Sequence, residues 1–127
     1  MQSLMPESNL FLNLFRHKEG KLYSAGQIVI EMGTVGTTMY VVLDGEVEIH
    51  AGGELTVGGP GIIFGEMALI DDAPRSATVT AKTDCRLLEL DRRRFESLVS
   101  ETPYFALEVM HVMADRLRRT NARIASA

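Results

Sequence analysis

The sequence predicts a mainly β fold of the α+β class: an antiparallel β-roll, a jelly-roll-like double-stranded β-helix, flanked by helices. All eleven glycines lie between Gly20 and Gly65, and short runs with strand character recur through that region and just beyond it. From Asp91 onward there is no glycine, and apolar residues follow a helical period. We therefore expect one domain at 1–127, with a helical segment at 1–19, the roll at 20–90 and C-terminal helices at 91–127.

The first segment predicts a short amphipathic helix, because four apolar residues recur there at spacings of one, three and four: Leu10, Phe11, Leu14 and Phe15. Seven runs with strand character follow: LYSAG, QIVIE, MYVVL, EVEIH, ELTV, SATVTA and CRLLEL. In EVEIH, Val47 and Ile49 alternate with polar residues, which is typical of a strand with one buried face. Asp44-Gly45 predicts a two-residue hairpin between MYVVL and EVEIH, with positive φ at both turn positions.

Two helices are predicted after the roll. Asp91 is a suitable N-cap for a helix through Arg92–Ser100, and Thr102 precedes Pro103, a residue favoured at the first helical position. The second helix is expected to exceed about 20 residues, because an apolar stripe keeps a helical period to the end of the chain. That stripe consists of Phe105, Val109, Val112, Met113, Leu117, Thr120 and Ile124.

Composition excludes several function classes. The net charge is −4 and there is no arm rich in Lys and Arg, so the general electrostatic footprint of a nucleic-acid-binding protein is missing. The lone Cys85 cannot form an internal disulfide, which favours the cytoplasm. The three histidines lie far apart and no Cys/His cluster has metal spacing, so neither a metal nor a cofactor is expected. No segment is apolar over the length of a membrane span.

Residues 61–78, GIIFGEMALIDDAPRSAT, interrupt the strand pattern and carry the chemistry. A short helix at Glu66–Ile70 has free N–H groups in its first turn, which favour an anion, and Gly65 lets a ligand approach the backbone. Arg75 adds a guanidinium fork suited to phosphate oxygens, and Ser76 adds a hydroxyl. Glu66 offers an acceptor for a sugar hydroxyl. The alternative is that Glu66 and Arg75 form an ordinary surface ion pair.

The run FGEMALIDDAPRSAT at 64–78 resembles the phosphate-binding cassette of the cyclic-nucleotide-binding domain family, found in catabolite activators and in cyclic-nucleotide-regulated kinases and channels. That cassette reads F-G-E-[LM]-A-L-[LI]-x-x-x-P-R-x-A-T, and the spacing here is unbroken. The upstream run YSAGQIVIEMGTVGTTMYVVLDGEVEI is similar to the family pattern too. One departure precedes the cassette, where Ile62-Ile63 replaces the family's G-x-[FW] pattern; we interpret it as structural.

The resemblance implies that Glu66 binds the ribose 2′-hydroxyl and Arg75 the cyclic phosphate. It implies a ligand site made of Phe64, Gly65, Glu66, Met67, Ala68, Arg75, Ser76 and Ala77, in which the backbone amides of Gly65, Met67, Ala68 and Ser76 bind the remaining oxygens. Ser76 bears on the choice between cAMP and cGMP, because its hydroxyl suits either the phosphate or a guanine amino group. The resemblance favours cAMP.

The last helix, with the run MADRLRRTNARI, is similar to the family helix that covers the base and forms a homodimer contact. On that resemblance Thr120 and Asn121 contact the base, although Thr120 on the apolar stripe is equally explained by helix packing. The arginines of this helix are interpreted as a solvated face: Arg116, Arg118, Arg119 and Arg123. The methionines are assigned to packing: Met67, Met110 and Met113. Because the chain stops at Ala127, where regulators of the family continue into a helix-turn-helix, no direct DNA recognition is expected.

The sequence therefore predicts a non-catalytic module that binds a cyclic nucleotide and moves its last helix to signal to an unknown output protein or domain. No combination of a nucleophile and a base supports an enzyme. The alternative function is a protein-interaction or dimerisation module that acts without nucleotide, with a cassette that does not bind it.

Overall fold

The computed structural model describes residues 6–126, and the side chains of 11–119 and 121 within them. The N-terminal helix and the first five strands are α1 (Pro6–Phe15), β1 (Lys21–Tyr23), β2 (Ile28–Ile30), β3 (Thr38–Asp44), β4 (Val47–Ala51) and β5 (Glu54–Gly58). The remaining elements are β6 (Ile63–Phe64), α2 (Met67–Asp71), β7 (Thr78–Ala81), β8 (Cys85–Asp91), α3 (Arg92–Glu101) and α4 (Pro103–Ser126).

The strands form two four-stranded sheets in which every pair is antiparallel. The first sheet has the order β1-β8-β3-β6 and the second the order β2-β7-β4-β5. Apart from the consecutive pair β4 and β5, neighbours in each sheet come from distant parts of the chain, as in a roll in which a long hairpin is wound on itself. The predicted fold class is confirmed.

Strand β3 explains how the layers are joined. Its side chains alternate between two apolar clusters, because successive residues of a strand point to opposite faces of the sheet. Met39, Val41 and Leu43 pack with the helices, while Tyr40 and Val42 pack between the two sheets. The run MYVVL is continuously apolar for this reason: its strand is buried on both faces.

The predicted hairpin at Asp44-Gly45 is wrong. Strands β3 and β4 lie in different sheets, and only Gly45 of the two residues has a positive φ, at 85°. The glycine is required for another reason, since a Cβ there would lie 2.4 Å from the carbonyl oxygen of Asp84. The two-residue hairpin loop is Gly52-Gly53, where φ is 58° and 79°, and it joins β4 to β5.

The predicted starts of the two helices after the roll are confirmed. The Asp91 carboxylate accepts a hydrogen bond of 2.8 Å from the N–H of Arg94, which caps α3. Helix α4 begins at Pro103 and has 24 residues. Its N-terminal half is anchored by Phe105, whose ring packs edge-on at 6.0 Å against both Phe11 and Phe15 of α1. In the described part of the chain, no helix is long and apolar enough to cross a membrane.

The phenol of Tyr23 provides a test of the packing between the sheets. Burial, together with the neighbouring Tyr40 and Glu89, raises the pKa of Tyr23 to about 12. Because the folded pKa lies above the unfolded value of about 10, the folded state loses stability as the pH rises through that window.

We expect the free energy of unfolding to fall between about pH 10 and pH 12, by on the order of 1 kcal/mol for each pH unit. Urea unfolding at a series of pH values measures this dependence. The variant Tyr23→Phe removes the titrating group, so its unfolding free energy should change less across the same window. An equally steep loss in both proteins contradicts the assignment to Tyr23.

Candidate functional site

A cavity of about 580 Å³ opens between the inner face of the second sheet, the segment around α2 and helix α4. This volume lies within the range of small-molecule sites. Eight of the ten residues predicted to bind a ligand line it together: Phe64, Gly65, Glu66, Met67, Ala68, Arg75, Ser76 and Ala77. The structure therefore brings the local motif of the sequence to one wall.

Arg75 is held in position through both its main chain and its side chain. Its N–H donates to the carbonyl oxygen of Thr34, and its own carbonyl accepts from the N–H of Gly33, both at 2.8 Å. The Nη1 atom donates to the carbonyl oxygens of Thr38 at 2.7 Å and Gly65 at 3.2 Å, and Nη2 donates to the Thr38 hydroxyl at 3.3 Å. The guanidinium is thereby fixed at the cavity wall.

Two glycines make room for this guanidinium. A Cβ at Gly36 would lie 2.4 Å from the Nε and Nη2 atoms of Arg75, and one at Gly65 would lie 2.8 Å from Nη1. Gly65 also has a φ of 81°, which disfavours other residues. Both glycines are therefore part of the site, through the space that they leave.

No carboxylate among the described residues balances the charge of Arg75. The residue is only 7% exposed, and within the described residues no carboxylate forms a salt bridge with it. Carbonyl and hydroxyl oxygens accept hydrogen bonds from its Nη1 and Nη2 atoms but bring no negative charge. A buried cation without a counter-ion is costly, and an anion entering the cavity would supply one.

Glu66 is even more deeply buried, at 3% exposed. It lies immediately before α2, which begins at Met67 rather than at the predicted Glu66, and its side chain does not cap that helix. The backbone N–H of Ala68, which was expected to bind a ligand oxygen, donates to the carbonyl oxygen of Gly65 at 3.3 Å. Because Glu66 and Arg75 are both buried, the alternative of a surface ion pair between them is wrong.

Arg116 of α4 is the partner of Glu66. Its Nη1 atom donates to both carboxylate oxygens, at 2.8 and 2.7 Å, and its Nη2 atom donates to the carbonyl oxygen of Ile63. The interpretation of Arg116 as part of a solvated face is therefore wrong, whereas Arg118 and Arg119 are exposed and pair with Asp115 on their own helix. The clasp of Arg116 on Glu66 joins α4 to the cavity wall across fifty residues of sequence.

The charges of Arg75 and of the Glu66–Arg116 pair add to a net positive charge at the cavity wall. Arg75 and Arg116 contribute two positive charges and Glu66 one negative charge, so one positive charge remains. A monoanionic ligand would neutralise it. The carboxylate is prevented from repelling such an anion because Arg116 already compensates it.

Phe64 has a structural role beside the cavity. Its ring stacks on that of Tyr40 with the centroids 5.0 Å apart and the planes at 11°. Tyr40 in turn donates from its hydroxyl to the Glu89 carboxylate at 3.1 Å. This stack fixes the strand that leads into Gly65 and Glu66.

The wall away from Arg75 is largely apolar. It includes Ile49, Ile62, Met113 and Leu117, with the hydroxyl of Thr56 and the side chain of Arg119 nearby.

The assignment of methionines to packing is wrong for two of them, since Met67 and Met110 are 39% and 54% exposed; Met67 also lines the cavity. Leu117, predicted on the buried stripe, is 61% exposed.

The two predicted base contacts on α4 have different outcomes. The side chain of Thr120 lies outside the described residues. Asn121 is exposed and is not one of the residues that line the cavity. Among the described residues, no group of three or more His, Cys, Asp or Glu side chains is arranged to hold a metal ion.

Comparison with known proteins identifies the fold's family. The family model for the cyclic nucleotide-binding domain matches residues 21–102, which is more than half of the chain. The chain belongs to the cyclic-nucleotide-binding domain family. This matched region contains all eight strands, the cavity wall around α2 and helix α3.

Individual relatives extend the similarity into α4. The cyclic AMP receptor protein of Thermus thermophilus is 34% identical over 95% of this chain and 58% of its own length. The crystal structure of the Thermus thermophilus catabolite activator protein superposes with a TM-score of 0.76 at 33% identity, covering 98% of this chain and 60% of that one. The chain spans about half the length of the curated relatives that it matches.

A further solved structure comes from work on a cyclic-GMP-dependent signalling pathway that regulates bacterial phytopathogenesis. It is 34% identical to this chain, with a TM-score of 0.64, and covers 90% of this chain and 91% of its own. Relatives described with either cyclic nucleotide therefore share this domain.

Sequence reasoning missed three residues that position the two charged side chains of the site: Gly36, Thr38 and Arg116. Gly36 and Thr38 lie outside the cassette, and no motif marks either of them. Arg116 carried the one available signal, an arginine following the apolar residues Val112 and Met113 by four and three positions, on their side of the helix. Four arginines in eight residues obscured that signal.

The clasp can be measured by a double-mutant cycle between Glu66→Gln and Arg116→Met. Removing Arg116 alone leaves a buried carboxylate without its two charged hydrogen bonds, so we expect a loss of about 1–3 kcal/mol in the free energy of unfolding. The double variant should be less destabilised than the sum of the two single variants, because the residues interact directly. Urea unfolding of the four proteins gives the coupling energy.

Arg118→Met is the matched control, since it removes an arginine from an exposed ion pair on the same helix. Its cost should stay below about 1 kcal/mol. Additive effects of Glu66→Gln and Arg116→Met contradict the clasp.

Proposed function

We propose that this protein is a non-catalytic sensor that binds a cyclic nucleotide in the cavity and reports it through α4. The observation that carries the proposal is the buried guanidinium of Arg75, which faces a ligand-sized cavity without a carboxylate partner in the described residues. Membership in the cyclic-nucleotide-binding domain family favours a cyclic nucleotide as the anion. We expect the sensor to act in the cytoplasm on an output protein or domain that is still to be identified.

The proposed contacts divide the ligand into three parts. Arg75 and Ser76 bind the cyclic phosphate, with the backbone N–H groups of Gly65 and Met67 as further donors. Glu66 accepts from the ribose 2′-hydroxyl. The purine lies against the apolar wall that includes Ile49, Ile62 and Met113, where its faces lose contact with water.

We propose cAMP as the preferred ligand over cGMP. In support, the Mycobacterium tuberculosis and Thermus thermophilus relatives at 33% and 34% identity are described as a cAMP-activated regulator and a cyclic AMP receptor. The two purines differ in hydrogen-bonding groups at one edge, so a single side chain such as Ser76 or Thr56 is enough to discriminate between them. Competition of both nucleotides in one titration measures the preference.

The clasp of Arg116 on Glu66 explains how binding would be reported. The ribose hydroxyl and the Arg116 guanidinium donate to the same carboxylate oxygens, so a bound ligand must share Glu66 with Arg116 or displace it. A ligand shifts a helix only if it binds one arrangement better than the other. Competition at Glu66 provides that difference, because it changes the hydrogen bonds that hold α4.

We also propose that α4 forms a homodimer. Leu107, Met110 and Leu117 are 43%, 54% and 61% exposed, and with Ala114 and Asn121 they recur at spacings of three and four. This is the pattern of the a and d positions in a coiled coil, with Asn121 at an a position. A second copy of the same helix would cover this stripe, and a polar residue at a single a position selects one register.

The alternative function, a constitutive dimerisation module without nucleotide binding, also has a specific observation in its favour. Arg116 already donates to both oxygens of Glu66, so the carboxylate does not require a ribose to be satisfied. In that case the clasp is permanent and α4 serves only as an interface. Titration with nucleotide distinguishes the two functions.

Isothermal titration calorimetry with cAMP and cGMP tests the sensor directly. Saturable binding is expected in the native protein, and Arg75→Gln should weaken it by roughly 2–5 kcal/mol, the cost of losing one member of a desolvated charge pair. Gly36→Ala should also weaken binding, because the added methyl group would overlap the guanidinium while Arg75 itself remains. Arg118→Gln, on an exposed surface, should bind as the native protein does.

Circular dichroism of each variant shows whether it is folded. A folded native protein that releases no heat with either nucleotide, and whose melting temperature neither nucleotide raises, contradicts the sensor and favours the constitutive module. Native affinity in folded Arg75→Gln contradicts the assignment of the phosphate site.

Sedimentation velocity tests the homodimer. Met110→Glu introduces a charge at a d position of the stripe. We therefore expect the dissociation constant of the dimer to rise at least about tenfold. Ser100→Glu adds the same charge on the exposed surface of α3 and should leave the sedimentation coefficient unchanged. A native protein that sediments as a monomer at all concentrations rules out the dimer.

A further inference from the structure

We propose that Tyr40 is a positioning residue of the phosphate site, which acts through the hydroxyl of Thr38 and fixes the edge of the Arg75 guanidinium that meets the ligand. Its effect on binding rests on the proposed function; the orientation of Arg75 in the unliganded protein does not. Four side chains carry the effect, and we call them the hydroxyl chain: Arg75, Thr38, Tyr40 and Glu89.

The hydroxyl chain is built along one face of β3. Thr38 and Tyr40 are two residues apart on this strand, so their side chains point to the same side of the sheet. Nη2 of Arg75 donates to the Thr38 hydroxyl at 3.3 Å, and the Tyr40 hydroxyl donates to the Glu89 carboxylate at 3.1 Å. A side-chain hydrogen bond between Thr38 and Tyr40 joins these two contacts. The chain therefore runs without a break from a guanidinium to a carboxylate.

The two ends of the chain fix the direction of every hydrogen bond in it. A guanidinium only donates and an ionised carboxylate only accepts, whereas a hydroxyl does both. Thr38 therefore accepts from Arg75 and donates to Tyr40, and Tyr40 donates to Glu89. Burial raises the pKa of the Tyr40 phenol, so at neutral pH it keeps the proton that this order requires. As a result, a lone pair of the Thr38 hydroxyl stays directed at Nη2.

This order determines which edge of Arg75 is left for a ligand. A guanidinium has five N–H donors. The Nη1 hydrogens match the carbonyl oxygens of Thr38 and Gly65, at 2.7 and 3.2 Å, and one Nη2 hydrogen meets the Thr38 hydroxyl. Among the described residues, Nε–H and the other Nη2 hydrogen remain; they lie side by side on one edge, where Gly36 has no Cβ. Two parallel donors suit two oxygens of a phosphate.

The ring of Tyr40 supports the other terminal nitrogen of the guanidinium. It stacks on Phe64 with the centroids 5.0 Å apart, and Phe64 precedes Gly65, whose carbonyl oxygen accepts from Nη1. Tyr40 is only 6% exposed, so packing holds both its ring and its hydroxyl. The variant Tyr40→Phe separates the two contributions, because it keeps a ring to stack on Phe64 and removes only the hydroxyl.

Isothermal titration calorimetry with cAMP measures what the chain contributes to binding. Thr38→Val and Tyr40→Phe each remove one hydroxyl at nearly constant shape, and we expect each to weaken binding about three- to tenfold, as for one lost hydrogen bond. Thr38→Ser returns a hydroxyl and should restore native affinity. The matched controls are Thr80→Val on β7 and Tyr104→Phe at the exposed start of α4, which should bind as the native protein does.

The double variant Thr38→Val, Tyr40→Phe tests whether Tyr40 acts through Thr38. We expect it to bind as weakly as Thr38→Val alone, because the chain is then already broken next to Arg75. Losses that multiply in the double variant overturn the chain. Native affinity in folded Thr38→Val or Tyr40→Phe overturns it as well, and so does a folded Thr38→Ser that binds as weakly as Thr38→Val. Circular dichroism shows which variants are folded.

Side-chain NMR spectroscopy of nitrogen-labelled protein tests the orientation of Arg75 without nucleotide. Hydrogen bonds on both Nη atoms slow the rotation of the guanidinium, so the native protein should show separate Nη signals, which Arg75→Gln identifies by their absence. These signals should exchange faster in Thr38→Val and Tyr40→Phe, and stay as in the native protein in Thr38→Ser and in both controls.

The two measurements separate the positioning role from the sensor. If calorimetry shows native binding in Thr38→Val and Tyr40→Phe and their Arg75 signals are unchanged, the role of Tyr40 is overturned while the sensor stands. If the native protein binds no nucleotide, the sensor fails, and the signals of Arg75 still test its orientation. Rapid averaging of those signals in the native protein overturns the fixed edge.

Discussion

The burial of two opposite charges at one cavity wall is the constraint on which the rest of the site depends. An ionised group out of water is tolerated only when its hydrogen bonds and its charge are compensated. Glu66 gains that compensation from Arg116, which belongs to the last helix, and Arg75 gains part of it from carbonyl oxygens of Thr38 and Gly65. The two solutions are unequal: among the described residues the carboxylate is paired with a full charge, while the guanidinium is paired only with dipoles.

This difference between Glu66 and Arg75 follows from how the fold positions each side chain. Main-chain hydrogen bonds to Gly33 and Thr34 hold Arg75 rigidly, and a missing Cβ at Gly36 leaves room for its guanidinium. Helix α4 must lie close enough for Arg116 to reach Glu66, so the cavity and the helix that closes it are positioned by the same ion pair. The fold therefore prepares a positive site and connects it to helix α4 in one arrangement.

Sequence predicted the parts of this site that are close together in the chain. The cassette residues at 64–68 and 75–77 meet on one wall because a turn and a short helix bring them there locally. Arg116 was missed because its partner is fifty positions away, and helical period alone does not tell which of four arginines faces the wall. The error at Asp44-Gly45 has the same origin: a glycine turn looks alike in a hairpin and in a corner between sheets, and only strand pairing distinguishes them. The two-residue strand β6 was too short for any periodic signal.

The packing of α4 limits how this helix could move in the proposed response. Phe105 and Val109 are 0% and 1% exposed, and the ring of Phe105 contacts Phe11, Phe15 and Phe95 at 5.6–6.0 Å. Withdrawing such side chains costs about 1.5–3 kcal/mol each, so withdrawing both together costs more than a change of partner at one carboxylate supplies. The half of the helix after Met113 has no comparable anchor among the described residues except Arg116 itself. We infer that release of Glu66 would move this second half about the first, and the exposed stripe through Leu117 would move with it.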